Sequence, residues 1–321
     1  MPIPETIARV AADIRSMRIR GAGRIAAEGL KALMDSADEI YRRSDSPESF
    51  LENLREAERV LVETRPTAVA LPNAMSFLDN ALEREFRGGA SKERLRETLD
   101  GTASLFLNRM REAPKKISEL ALEVIPSGST AMTHCHSSIA VAVIRRAAER
   151  GLLRKIYVTE TRPLYQGRIT SRQLSGCGAP VAFIVDSAAG FYMKESDVMI
   201  VGADAIAMNG DVANKVGTYL MAALAKQLGK RVLVCAESYK IATKAKAGAD
   251  IPVEFRPASE IYSRDPVDIG GPEILNPAFD ITPGRLIDFI VTELGIVREP
   301  EKEIPSVAKK ADLLVAGQQV F

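Results

Sequence analysis

The chain has 321 residues, with 43 basic and 42 acidic side chains and a formal charge of +1, so no global field draws it to nucleic acid or to an acidic membrane surface. At 46% hydrophobic and 26% charged it has the composition of a globular protein with one large or two medium cores, which excludes disorder and a coiled coil. No apolar run approaches the roughly 18 to 20 residues that cross a bilayer, and the opening Met-Pro-Ile-Pro-Glu lacks a basic segment followed by an apolar one, so a cytoplasmic location with no membrane partner is expected.

Residues 2 to about 120 read as successive helices. Ile7, Val10, Ile14 and Met17 keep helical spacing, as do Ile25, Leu30, Leu33, Ala37 and Ile40, then Phe50, Leu54, Ala57 and Leu61. Ser46 followed by Pro47 predicts a capped start for the run Glu48 to Glu63. Breaks fall at Gly21 to Gly23, at Arg65-Pro66-Thr67 and at Gly88-Gly89. From about 124 the rhythm changes to short β-branched runs: Thr130 to His134, Lys155 to Glu160, Val181 to Asp186, Val198 to Gly202 and Arg231 to Ala236. Amphipathic stretches between them, Ser138 to Arg150 and Val212 to Leu228, have the length of crossover helices and predict a parallel sheet covered on both faces. The fold class expected is therefore α/β, with an all-helical N-terminal domain over residues 1–123 and a Rossmann-like, doubly wound parallel-sheet domain over 124–321. No Gly-x-Gly-x-x-Gly follows the first strand, which argues against a dinucleotide, and no organic cofactor is expected.

In an open parallel sheet, ligands bind beyond the carboxyl ends of the strands, and that criterion selects few residues. After the first run come Thr133-His134-Cys135-His136-Ser137-Ser138, which set a thiol between a strand end and a helix start, where amides and dipole favour a thiolate or a bound anion. A small buried cysteine at a strand end is the competing reading. His134 and His136 point away from Cys135, and no further ligand cluster lies near, so the histidines read as structural and no metal is expected. Three cysteines cannot all pair and match no zinc spacing; at least one thiol should be free, and Cys177 and Cys235 read as core residues. After the fourth run comes Asp204, at a strand exit where burial can raise a carboxyl toward the working range of an acid or base; a turn-forming Asp is the alternative. Asn209-Gly210 reads as a tight turn, and Asn214 and Lys215 then fall near a helix start, where amide and ammonium suit a phosphate. Arg20, Arg65, Arg162 and Lys240 stand at breaks in the pattern, and together they favour a small, strongly anionic substrate, although a solvated surface charge is the alternative for each.

The blocks Arg20-Gly21-Ala22-Gly23, Arg65-Pro66-Thr67-Ala68-Val69, Thr133-His134-Cys135, Glu160-Thr161-Arg162-Pro163, Gly202-Ala203-Asp204 with Asn209 to Thr218, and Asn276 to Pro283 occur in an order and at distances that carry a resemblance covering most of the chain. The chain resembles the family that joins 5-methylthioribose-1-phosphate isomerases, archaeal ribose-1,5-bisphosphate isomerases and the regulatory subunits of eukaryotic initiation factor 2B. The resemblance implies a helical domain, a Rossmann-like domain and an active site between them, with Cys135 as proton acceptor and Asp204 as proton donor. It implies that Arg20, Gly21, Ala22, Gly23, Arg65, Ser137, Ser138, Asn214, Lys215 and Lys240 hold the substrate and its phosphates. Both Cys135 and Asp204 are present, which points to an enzyme rather than a regulatory subunit. Gly23 where the methylthioribose branch has Pro, His136 where it has Asn, and Lys240 resemble the ribose-1,5-bisphosphate branch. That branch implies formation of ribulose 1,5-bisphosphate in AMP degradation feeding an archaeal carboxylase, AMP as activator, and a homo-oligomer, a dimer or a hexamer of dimers. On this reading Lys240→Ala should weaken substrate binding more than folding.

Overall fold

The computed structural model describes residues 2–65, 69–262 and 271–315, so Pro66, Thr67 and Ala68 of the second block lie outside the described residues. The chain forms two compact units, Met1–Glu112 with Lys309–Phe321, and Ala113–Ala308.

The first unit is helical: α1 (Glu5–Arg15), α2 (Ala22–Arg42), α3 (Pro47–Val62), α4 (Ala70–Arg87) and the greater part of α5 (Lys92–Leu122). The apolar spacing explains the packing. Ile7, Ile14, Ile25, Leu30, Leu33, Ile40, Phe50, Leu54 and Leu61 are fully or almost fully buried, each one helical turn or two from the next on its own helix. Helix α1 is shorter than its pattern: it ends at Arg15, and Met17 stands beyond it with φ 62. The expected cap at Ser46 forms as a reciprocal pair, Ser46 Oγ accepting from the Ser49 N–H at 3.3 Å and Ser49 Oγ from the Ser46 N–H at 3.0 Å, with Pro47 in the first turn.

The second unit is a doubly wound sheet. Its strands are β1 (Ser129–Thr133), β2 (Leu153–Thr159), β3 (Val181–Ile184), β4 (Val198–Val201), β5 (Ala205–Ala207), β6 (Val212–Lys215), β7 (Arg231–Cys235), β8 (Ile241–Ala242), β9 (Phe279–Thr282), β10 (Phe289–Thr292) and β11 (Gly295–Val297). Between them lie α6 (Ser138–Glu149), α7 (Gly167–Leu174), α8 (Ala189–Tyr192), α9 (Thr218–Gln227) and α10 (Ser259–Tyr262), with the first part of α11 (Pro300–Val315), up to Ala308, after β11. Seven strands run in the order β11-β10-β7-β4-β1-β2-β3, parallel except for the antiparallel β10–β11 pair. Successive residues alternate between two cores, Ile156, Val158, Ile200 and Leu233 on one face and Tyr157, Met199, Val201, Val232 and Val234 on the other, so both faces are apolar and covered. All five strands read from the sequence are present. Because β1 proceeds to β2 and β3 on one side while β4 starts the other side, the crevice between β1 and β4 is the switch point of the sheet.

One expectation is corrected. Val212 to Leu228 is not a single helix: Val212–Lys215 is strand β6, and α9 starts only at Thr218. The Asn209-Gly210 turn, with Asn209 Oδ1 accepting from the Asp211 N–H at 3.1 Å, folds β6 back on β5 as a hairpin. Strands β8-β5-β6-β9 form a second sheet that the sequence reading lacked.

Candidate active site

The end of β1 is the most constrained part of the rim. Cys135 follows the strand at φ 70, in the left-handed region where a non-glycine residue is strained. Its N–H donates to Thr161 Oγ1 at 2.9 Å, and its carbonyl accepts from the Thr170 hydroxyl at 2.8 Å. His136 Nδ1 lies 3.1 Å from the same Thr170 oxygen, whose single hydrogen is already given to Cys135, so this ring nitrogen carries a hydrogen. His134 is buried and uses both ring nitrogens: Nε2 is 2.9 Å from the Val216 carbonyl, which can only accept, and Nδ1 is 2.6 Å from Thr159 Oγ1. Burial pushes His134 below its ordinary pKa, against the Val216 carbonyl and the Asp186 carboxylate at 3.8 Å, and a neutral ring that donates at Nε2 satisfies both contacts. Gly217 makes this approach feasible: its φ is +104, and a Cβ there would stand 3.2 Å from His134 Nε2. Both histidines thus spend ring nitrogens on neighbouring chain, His134 on Val216 and Thr159 and His136 on Thr170.

Ser137 caps α6, its Oγ accepting from the Ala140 N–H at 3.3 Å, and Ser138 opens the helix on its exposed side. The same Ser137 hydroxyl would meet a Cβ on Gly202 at 2.4 Å. Only glycine after β4 lets the start of α6 nest against the turn that leads to Asp204, and this is how the two strand-end loops are brought together. The half-buried Cys135 thiol feels its neighbours accordingly: burial is the largest influence and raises it to about 11, Lys215 and the His136 N–H pull it back, and Asp204 and Asp186 push it up again.

Asn214 and Lys215 reach the rim from β6 rather than from a helix start, a correction that follows from the hairpin. Asn214 Nδ2 donates to Thr218 Oγ1 at 3.0 Å, while Lys215 Nζ donates to the Ala278 carbonyl at 2.9 Å and stands over the Phe279 ring. Lys240, after β7, is neither solvated nor on the surface. It is 7% exposed, and its Nζ lies 2.9 Å from Glu237 Oε2. Burial raises Glu237, but the Lys240 ammonium and the Tyr239 hydroxyl outweigh it and hold the carboxyl below its ordinary value. Truncating Lys240 would leave Glu237 buried without a counter-charge, so Lys240→Ala is expected to cost folding as well as any substrate contact. In the first unit, Arg20 is exposed, Gly21 caps α2, Ala22 is its buried first residue, Gly23 is half-buried, and Arg65 follows α3. Arg162 binds the Tyr165 hydroxyl and packs over that ring. Cys177 and Cys235 are core residues as read, and desolvation raises the Cys235 thiol far above its ordinary value.

Sequence reasoning missed Asp186, Thr161 and Thr170 as parts of this site. Asp186 accepts from the consecutive N–H groups of Thr161 and Arg162, each at 2.7 Å. The criterion that selected Asp204, an acid at the exit of an apolar run, selects Asp186 equally.

A Rossmann-like sheet preceded by a helical unit, with a cysteine and an aspartate flanking the switch point, defines a class of proteins to which the chain can be matched. The chain belongs to the Initiation factor 2 subunit family, which it matches over residues 18–299. It is 38% identical to the ribose 1,5-bisphosphate isomerase of Thermococcus kodakarensis over 92% of each chain, and 38% identical to the methylthioribose-1-phosphate isomerase of Carboxydothermus hydrogenoformans over 93% of this chain and 89% of that one. The crystal structure of 5-methylthioribose 1-phosphate isomerase from Pyrococcus horikoshii OT3 superposes with a TM-score of 0.79 at 31% identity, covering 95% of this chain and 88% of that one. The resemblance read from the sequence blocks is thus borne out, as is the fold class.

Proposed function

We propose that the chain is an aldose–ketose isomerase converting ribose 1,5-bisphosphate to ribulose 1,5-bisphosphate by acid/base proton transfer, with Cys135 as acceptor and Asp204 as donor. The observation that carries the reading is the position of these two residues beyond adjacent parallel strands, β1 and β4, on either side of the switch point. Relatives bearing that enzyme name, at 38 to 39% identity over about nine-tenths of the chain, support the substrate.

The chemistry needs both groups. Phosphate on the anomeric oxygen blocks the ring opening open to a free sugar, so the C1 to ring-oxygen bond must break with phosphate still on C1. Asp204 protonates the ring oxygen as that bond breaks, and Cys135 removes the hydrogen of C2, leaving an enol between C1 and C2. Return of that hydrogen to C1 and loss of the O2 proton give the ketone and restore both groups; in sum one hydrogen moves from C2 to C1 and one from O2 to the ring oxygen. The active form carries its proton on Asp204 and the negative charge on Cys135. In that form the thiol no longer feels the Asp204 charge that raises it, and Lys215 and the His136 N–H favour the thiolate against the burial that remains the largest influence.

Ser137 and Ser138 at the start of α6, Asn214, Lys215 and Lys240, with Arg20, Gly21, Ala22, Gly23 and Arg65 of the first unit, are proposed to hold the substrate and its phosphates. AMP as activator, a dimer or hexamer of dimers, and a place in the cytoplasm in AMP degradation complete the proposal. Turnover of the purified protein on ribose 1,5-bisphosphate and on 5-methylthioribose 1-phosphate, with and without AMP, tests it. Preference for the bisphosphate is expected. Preference for the methylthio sugar would transfer the reading to that isomerase, and a folded protein silent on both would be a regulatory subunit.

A further inference from the structure

We propose that Asp186 and Thr161 are positioning residues that hold Cys135 in its strained backbone conformation and thereby aim its thiol; the inference rests on Cys135 being the proton acceptor. Three strands contribute in sequence across the sheet. From the end of β3, Asp186 clamps two consecutive N–H groups of the loop after β2, those of Thr161 and Arg162, with one carboxylate oxygen each at 2.7 Å. From that loop, Thr161 Oγ1 accepts the Cys135 N–H at 2.9 Å. Thr161 is fully buried, and it too is in the left-handed region, with φ 64 against φ 70 for Cys135. Two non-glycine residues joined by a hydrogen bond thus share an unfavourable backbone conformation beside the proposed reaction centre. Such a conformation persists only where its surroundings over-determine it, and here the Thr170 hydroxyl on the Cys135 carbonyl at 2.8 Å completes the grip. The carboxylate reaches the thiol electrostatically as well. The charged groups acting on Cys135 are Lys215 from β6, Asp204 beyond β4 and Asp186 beyond β3, with the neutral His134 beside it.

Thr161→Val keeps the shape of the side chain and removes the acceptor, while Thr161→Ser keeps the acceptor. Thr161→Val is expected to fold normally and to lose about tenfold or more in kcat with KM within about twofold, because the substrate still binds but the thiol is misplaced. Thr161→Ser should restore most of the rate. Asp186→Asn should also lower kcat, since its amide nitrogen faces one of the two N–H groups, and it should move the Cys135 alkylation profile to lower pH by removing a negative charge. Iodoacetamide reports on Cys135 in the folded protein because Cys177 and Cys235 are buried. A merely structural role would not shift that profile or separate valine from serine. A folded Thr161→Val protein with wild-type kcat overturns the inference, whether or not Asp186→Asn folds. Turnover by Cys135→Ser would instead sink the assignment of Cys135 as proton acceptor, a result the alkylation arm does not depend on.

Discussion

The two halves of the sheet's carboxyl edge treat the same residue types in opposite ways. Beyond β1 and β4 the cysteine is half-buried, strained at φ 70 and exposed to the charges of Lys215, Asp204 and Asp186. At the end of β7, Cys235 is fully buried in the core, and desolvation alone raises its thiol. The carboxylates differ as well, since Glu237 beyond β7 is closed by Lys240 and Tyr239, whereas Asp204 lies half-buried at the end of the turn that nests on α6. A place at or after the end of an apolar strand is therefore shared by all four groups, and what sets the proposed catalytic pair apart is the surroundings of its side chains.

Cysteine replacement at the two ends gives the largest contrast. Cys135→Ser should lower turnover by roughly a thousandfold or more, since a hydroxyl is a far poorer proton acceptor than a thiolate, while the melting temperature stays close to wild type. Cys235→Ser should do the reverse, keeping turnover but losing about 1 to 3 kcal/mol of stability by burying a hydroxyl in an apolar core, as read by urea unfolding. Equal loss of activity in both would erase the distinction between the two strand ends.

The Lys240–Glu237 pair sharpens the same comparison from its structural side. Removing one member should destabilise the fold by about 3 to 5 kcal/mol, because it leaves the other charge buried. The double replacement Lys240→Met with Glu237→Gln should recover much of that loss. If the single variant unfolds in urea like wild type, the pair is not a closed structural element, and only the role proposed for Lys240 at the substrate is left to it.

How far the sequence revealed this arrangement depends on the range of the forces involved. Five of the seven strands of the main sheet, β1, β2, β3, β4 and β7, and the helices of the first unit declare themselves through periodicity, because burial on two faces or on one stripe imposes it locally, whereas β10 and β11 are not read from the sequence. Strand β6 does not declare itself either, since Val-Ala-Asn-Lys suits either period and becomes a strand only by pairing with β5 and with β9, where Asn214 meets Asp280. Strand β8, two residues long, is too short for any pattern. Cys135 and Asp204 could be found from their position after apolar runs. The Thr161 and Thr170 hydroxyls could not, because what they hold is backbone brought within reach only by folding.

Asp280 gives the smallest effect and contrasts with Glu237. It accepts from the Gly217 N–H at 2.6 Å and the Tyr219 N–H at 3.1 Å, fixing the start of α9 next to Lys215, yet the Lys215 ammonium is the weakest of the influences on it, where Glu237 has the Lys240 ammonium at 2.9 Å. Burial outweighs those contacts and raises it from 3.8 to about 6. The native state therefore holds this proton where the unfolded chain has released it. The stabilising contribution is complete below about 4 and is lost as pH rises through about 6, a slope opposite to that of Glu237, whose lowered pKa favours the fold at higher pH. Asp280→Asn should flatten that part of the stability curve by about 1 to 2 kcal/mol between pH 4 and 7, measured by urea unfolding at a series of pH values. A wild-type curve already flat there would mean that the two N–H groups and Lys215 together match the desolvation, and the contrast between the two carboxylates would reduce to their partners alone.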